Sequence, residues 1–204
     1  MPGSWFARWF ENKLKYMWAV QRRFVSGVLG LLFCCLGASA QGEAIDDVMQ
    51  HVPMATTLVL RASGVKSQSD TWAEFLASTG ASYLLATGVT YSLKHSVREW
   101  RPDDSDQRSF PSGHSTYAFA GATALRHEYG HLSPWISIGG YGLATLVAVD
   151  RVRRHRHYTH DVCAGAAIGW LSTELTYYIK KKYIKSDRVD VAFTGQSLSL
   201  SLRW

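Results

Sequence analysis

Residues 111–124 read Pro111-Ser112-Gly113-His114-Ser115-Thr116-Tyr117-Ala118-Phe119-Ala120-Gly121-Ala122-Thr123-Ala124. Pro-Ser ahead of such a run marks a helix start, because proline pre-sets the chain just before the helix. Beyond it the residues are small or apolar nearly all round the helix. Ile136–Val149 and Val162–Trp170 repeat that character. Helices without a polar face are buried in a tight bundle or immersed in lipid. None of these reaches 18 strongly apolar residues, so a bundle core comes before a lipid-spanning helix. The fold class is all-α, a helical bundle.

Other elements follow outward from this centre. Apolar residues recur at helical spacing from Asp46 to Ala62, and the polar stretch Ser63–Asp70 is a loop. Thr71-x-x-Glu74 can form a capping box that opens a helix to about His95. Residues 96–111 are charged, carry two prolines and form an irregular loop. Helices are then expected over Gly113–His127, Pro134–Val149 and His157–Lys185. At the C-terminal end Val189, Val191 and Phe193 alternate with polar or small residues, as do Leu198, Leu200, Leu202 and Trp204. That period of two, with a turn at Thr194–Gln196, predicts a short β-hairpin packed at the edge of the bundle.

The first 40 residues read as an address. Arg22-Arg23 precede the apolar run Phe24–Gly37, which ends at Ala38-Ser39-Ala40. This is the pattern of a secretory signal peptide cleaved before Gln41, with an uncleaved N-terminal anchor as the alternative. The resulting division is 1–40 leader, 41–188 helical domain and 189–204 tail. The chain's net charge is +6, but five Lys/Arg and one Glu lie in the leader. The remainder holds 17 basic and 15 acidic residues, too balanced for a nucleic-acid partner. Cys34 and Cys35 leave with the leader, so no internal disulfide forms and Cys163 packs as a small apolar residue.

Three motifs lie within residues 94–161: Lys94-x6-Arg101-Pro102, Pro111-Ser112-Gly113-His114 and Arg151-x5-His157-x3-Asp161. Cleaving a phosphate ester requires cations and donors to grip the dianion, a nucleophile for phosphorus and an acid for the leaving oxygen. A helix opening at Gly113 turns the N–H groups of Ser112, Gly113 and His114 outward as an anion site. His114 stands at its rim, where the acid is needed. Asp161 lies four residues after His157, on the same face if both are helical, and can orient that imidazole for attack. Lys94, Arg101 and Arg151 are the candidate clamps. His155 lacks a partner four residues on, and His160 points elsewhere. Arg98, Arg153, Arg154 and Arg156 read as solvated charges. No metal and no cofactor is called for.

Together the motifs resemble the signature of type 2 phosphatidic acid phosphatases, a superfamily that includes bacterial class A acid phosphatases and vanadium haloperoxidases. The resemblance spans about residues 85–175 and continues through His157-Tyr158-x-x-Asp161-Val162-x-Ala164-Gly165. It implies His157 as nucleophile, Asp161 as its orienter and His114 as acid, with Lys94, Arg101, Ser112, Gly113 and Arg151 binding phosphate. One position departs: the family usually has serine before the third-motif arginine, and here Asp150 stands there. A carboxylate would repel a phosphate dianion, so Asp150 is expected to turn away.

The short exported form is similar to bacterial lipid A phosphatases of that superfamily. It implies a metal-independent phosphatase acting at the periplasmic face on a lipid-linked phosphate through a phosphohistidine. The aromatic-basic stretch Tyr177–Tyr183 suits a membrane surface. The alternative is a soluble periplasmic acid phosphatase of broad specificity.

Overall fold

A computed structural model describes residues 42–184, the strands 189–193 and 198–202, and eight helical positions between residues 8 and 26. The rest of the expected leader, and the Thr194–Gln196 turn, lie outside the described residues. Six α-helices follow in order: α1 Gly42–Met49, α2 Val52–Ala62, α3 Trp72–Ser96, α4 Gly113–Tyr129, α5 Pro134–Arg153 and α6 Thr159–Ile179. A π-helical turn, Lys180–Ile184, extends α6. Strands β1 Val189–Phe193 and β2 Leu198–Leu202 pair antiparallel, with Val191 opposite Leu200. The bundle and the hairpin both follow the sequence pattern.

Boundaries differ where local chemistry competes with periodicity. The single helix expected over 46–62 is two, because Pro53 in the first turn of α2 has no N–H to continue α1. Thr71 caps α3 by accepting from Glu74 N at 3.1 Å, but the Glu74 carboxylate returns to Asp70 N at 2.9 Å rather than to Thr71. The last helix starts at Thr159, not His157, with extended Tyr158 as its N-cap.

α4 is the central helix and packs on α2, α3, α5 and α6. Its buried face is Ala118, Ala120, Gly121, Ala122 and Ala124, small enough for backbones to meet closely. A Cβ at Gly121 would come within 2.7 Å of Met54 N. One apolar cluster joins Leu60, Phe75, Leu125, Tyr129 and Ile136; another joins Ala118, Ala122, Ala144 and Val147. Beside the first, fully buried Glu128 accepts from Ser69 N, Ser69 Oγ and Tyr177 Oη, with Lys180 Nζ at 3.4 Å. That network closes the C-terminal end of α4.

Many of the larger apolar side chains face the other way. Leu84 is 75% exposed and Leu146 66%, and Ile138, Val149, Leu171 and Leu175 are also exposed. Helices α3, α5 and α6 bury mostly small residues, with Phe75, Ile136, Val147, Val162 and Tyr177 as the larger exceptions. The sequence favoured the core for these faces; much of their larger apolar surface lies outside it. Cys163 likewise is exposed rather than packed. No helix among the described residues is long and apolar enough to cross a membrane.

Candidate active site

The site forms at the N-terminal end of α4, where three connections converge: the end of α3 with loop 97–112, the α5–α6 turn, and α1. A cavity of about 270 Å³ is lined by Gln50, Thr90, Tyr91, Lys94, Arg101, Gly113, His114, Tyr117 and His157. Five of the eight site residues read from the sequence thus share one space. Arg151, Asp161 and Ser112 stand behind it.

Lys94 occupies the last turn of α3, and its Nζ donates to Arg108 O at 2.9 Å. Burial and the neighbouring Arg101 push its pKa down to about 8. Arg101 Nε donates to Asp106 Oδ1 at 2.9 Å, and the same oxygen accepts from Arg108 N at 2.8 Å, which ties the loop into one shape. At Gly113 an added Cβ would meet the Tyr117 and Lys94 side chains at 3.7 and 3.9 Å, so the missing side chain leaves the start of α4 open beside the lysine.

Ser112 departs from the expected role. Its N–H is committed to Asp161 O at 3.0 Å, so it does not turn outward, and its fully buried Oγ caps Ser115 N at 3.4 Å. That bond instead locks the start of α4 to the first turn of α6. An added Cβ at Gly165 would strike Ser112 O, so the Ala164-Gly165 extension keeps this approach possible.

His157 is 2% exposed and lies in the turn before α6. Its Nδ1 is 3.5 Å from Asp161 Oδ2, an ion-pair distance but too long for a good hydrogen bond, and the nitrogen has no other partner. Asp161 Oδ2 is held instead by Tyr158 N at 2.9 Å and by the buried Ser109 Oγ. Burial, then Lys94 and Arg101, hold the His157 pKa well below the usual imidazole range, against the opposing pull of Asp161. The imidazole is therefore neutral and nucleophilic near neutral pH.

His114 sits in the first turn of α4 with Nε2 2.9 Å from Asp47 Oδ1. Burial and Arg151 push its pKa down to about 4, with Asp47 acting in the opposite sense. Arg151, buried in the last turn of α5, gives Nη1 to Asp46 Oδ2 at 2.9 Å, while its Nε has no partner. Asp150 turns away as expected, onto Arg154 Nε at 2.9 Å. Arg154 is exposed as expected but also reaches Asp46 at 3.2 Å, and half-buried Arg156 pairs with Asp103 at 2.8 Å. His155 is exposed. His160 is closer to the chemistry than its spacing indicated, 2.8 Å from Glu99 Oε1 and 3.2 Å from Asp161 Oδ1. These three residues are the group among those described that can hold a metal ion.

Sequence reasoning missed Ser109, Asp46 and Asp47. Ser109 was hidden within an irregular loop. Asp46 and Asp47 lie 105 and 67 residues from the groups they meet, and no spacing rule links them.

Fold and site together define a class: a helical bundle that gathers two histidines, a carboxylate and three cations at one end of its central helix. The chain belongs to the PAP2 superfamily, which residues 75–185 match. It is 40% identical over 143 residues to the lipid A 1-phosphatase of Porphyromonas gingivalis, covering 70% of this chain and 32% of that protein. It is 36% identical over 81 residues to lipid phosphate phosphatase 1 of Arabidopsis thaliana, covering 34% of this chain and 25% of that one. The chain thus spans about a third or less of these relatives. The crystal structure of Aquifex aeolicus LpxE superposes with a TM-score of 0.53 at 21% identity, over 74% of this chain and 94% of that one, a likeness of fold.

Proposed function

We propose that the protein is a phosphatase that removes phosphate from a lipid-linked substrate, lipid A or a similar phospholipid, through a phosphohistidine intermediate. The observation that carries this is one cavity lined by His157, His114, Lys94 and Arg101 together. Lys94, Arg101, Arg151 and the start of α4 at Gly113 grip the dianion. The Nε2 of His157, the ring nitrogen not facing Asp161, attacks phosphorus; the N–P bond forms as the P–O ester bond breaks, and His114 gives its proton to the leaving oxygen. Water then attacks phosphorus, His114 takes a proton from it, and the N–P bond breaks to release inorganic phosphate. Asp161, fixed by Ser109 and Tyr158, stabilises the imidazolium that develops. Burial is the first cause that depresses His114; a bound dianion opposes the further part that comes from Arg151 and Arg101 and so favours the acid form when substrate is present.

Several features support a lipid as the leaving group. The outward faces of α3, α5 and α6 are apolar. Exposed Tyr178, Ile179 and Tyr183 interleave with exposed Lys181 and Lys182, as suits a headgroup boundary. The Porphyromonas relative is named for lipid A. Export through the leader sets the reaction at the periplasmic face of a membrane.

The test is inorganic phosphate release from lipid A, undecaprenyl pyrophosphate, phosphatidic acid and 4-nitrophenyl phosphate, each dispersed in the same detergent. Lipid A or another lipid is expected to exceed the aryl phosphate in kcat/KM. The reverse order would give the site to the soluble acid phosphatase reading.

A further inference from the structure

Helix α1 lies outside the residues that match the family, yet its consecutive Asp46 and Asp47 touch two different members of the site. Neighbours on a helix point about 100° apart, so one turn can serve two side chains side by side. Asp46 is nine-tenths buried and bonds both Arg151 and Arg154. It lines a separate pocket with Asp150, Arg151 and Arg154, not the cavity that holds His157. Its charge thus sits behind the Arg151 guanidinium, and Arg154 partly neutralises it. The Nε of Arg151 is buried with no partner. Buried donors are nearly always satisfied, and Arg151 lies near enough to His114 and His157 to act on the charge of both, so its unpaired Nε is a donor available to an anion bound beside them.

We propose that α1 is a working part of the phosphate site, with Asp46 aiming the Arg151 guanidinium and Asp47 holding the His114 imidazole. Both are positioning residues, and the proposal rests on the roles of Arg151 and His114 given above. An arginine side chain is flexible, and pinning Nη1 leaves one edge of its fork fixed toward the ligand. The charged groups around His114 are Arg151 from α5, Arg101 from the loop after α3, Lys94 from α3, His157 from the turn before α6 and Asp47 from α1. Four of these are cationic or become so; Asp47 is the carboxylate among them that favours a proton on His114.

The two carboxylates could instead block the site, standing where phosphate oxygens belong, and mutation separates the two readings by sign. The full chain is assayed as Asp46→Asn, Asp47→Asn and Asp47→Glu, with melting curves for each. Asp46→Asn should raise KM and weaken vanadate binding about tenfold. Arg151→Lys should add little to Asp46→Asn, because the pair acts as a unit. Asp47→Asn should cut kcat about a hundredfold on an alkyl or lipid phosphate, whose leaving oxygen needs a proton. On 4-nitrophenyl phosphate, whose leaving group needs no proton, the loss should be clearly smaller, confined to the hydrolysis step in which His114 acts as base, and Asp47→Glu should recover part of the loss. Equal loss on both substrates with a lowered melting temperature would mean that Asp47 only holds the fold. Faster turnover in either Asn variant would mean that the pair obstructs the site. Both results overturn the proposal. If His114→Ala and Arg151→Ala are impaired while the aspartate variants stay within twofold of wild type, the proposal alone fails. If His114→Ala and Arg151→Ala are silent too, the reading of the site fails beneath it.

Discussion

Asp161 Oδ2 lies 3.5 Å from His157 Nδ1 while accepting a hydrogen bond from Tyr158 N at 2.9 Å. The carboxylate is fixed by the backbone, and the imidazole is left in loose register with it. Such a pair can tighten when charge develops on the histidine, because Coulomb attraction is strong in a buried site.

His157→Ala should therefore lose several orders of magnitude in kcat, as removal of a nucleophile does. His155→Ala should keep most activity, since that side chain is exposed. His160→Ala should cost only several-fold, because it reaches Asp161 from the Oδ1 side, away from His157. A His155 or His160 variant as dead as His157→Ala, with an intact circular dichroism spectrum, would move the nucleophile.

The pH profile carries a sign. His114 must be protonated to act, and its pKa is pushed down to about 4 by burial and Arg151. Above that value its protonated fraction falls about tenfold per pH unit. Lys94 must be charged to hold phosphate, and it loses its proton above about 8. Both effects favour acid, until protonation of His157 removes the nucleophile at still lower pH. With an alkyl phosphate kcat/KM should be higher at pH 5 than at pH 8, and an optimum above pH 8 would contradict these assignments.

The motif residues of the site were legible in the sequence because the chain needs them at fixed offsets around two helix starts. Helix caps and small-residue runs have local causes, so the bundle was legible too. What escaped was non-local. Asp46 and Asp47 meet their partners only after α1 folds across α4 and α5, and Ser109 looks like any loop serine. The outward leucines escaped for a different reason. A helix that is apolar all round does not say which face is core, and the small residues settle it only once the close approaches at Gly121, Gly165 and Gly169 are known.

Those approaches predict a stability effect. A Cβ at Gly169 would strike Thr116 O and come within 2.8 Å of Ala120 N, both backbone atoms of the central helix. Backbone cannot swing aside as a side chain can, so Gly169→Ala should destabilise by about 1–3 kcal/mol despite alanine's better helix propensity. Gly142 has nothing within 4 Å of such a Cβ, and Gly142→Ala should be neutral or stabilising. Thermal unfolding of the two variants side by side checks this; equal melting temperatures would contradict the close packing of α4 on α6.

Chelation separates cation chemistry built from side chains from chemistry built on a metal. The cavity presents lysine, arginine and imidazole to an anion, and the one cluster among the described residues able to hold an ion uses Asp161 itself. Activity should survive EDTA and be inhibited by vanadate, which resembles the trigonal-bipyramidal phosphorus at His157. Loss with EDTA that a divalent ion restores would point to the Glu99–His160–Asp161 cluster and against this mechanism.

The outward apolar faces make the last prediction. Leu84, Leu146 and Leu175 on three different helices would be costly to leave in water, at about 25 cal/mol per Å² of apolar surface. Exposed apolar side chains on three helices fit a contact with lipid or another protein. The protein should sediment with membranes, resist a high-salt wash and be released by detergent. Mass spectrometry of the N-terminus separates the contribution of the leader from that of the bundle. A chain beginning near Gln41 that still stays with membranes would give the binding to the helical faces and the exposed Tyr178, Ile179, Lys181, Lys182 and Tyr183. The same chain recovered fully soluble without detergent would favour the acid phosphatase reading and small esters as substrates.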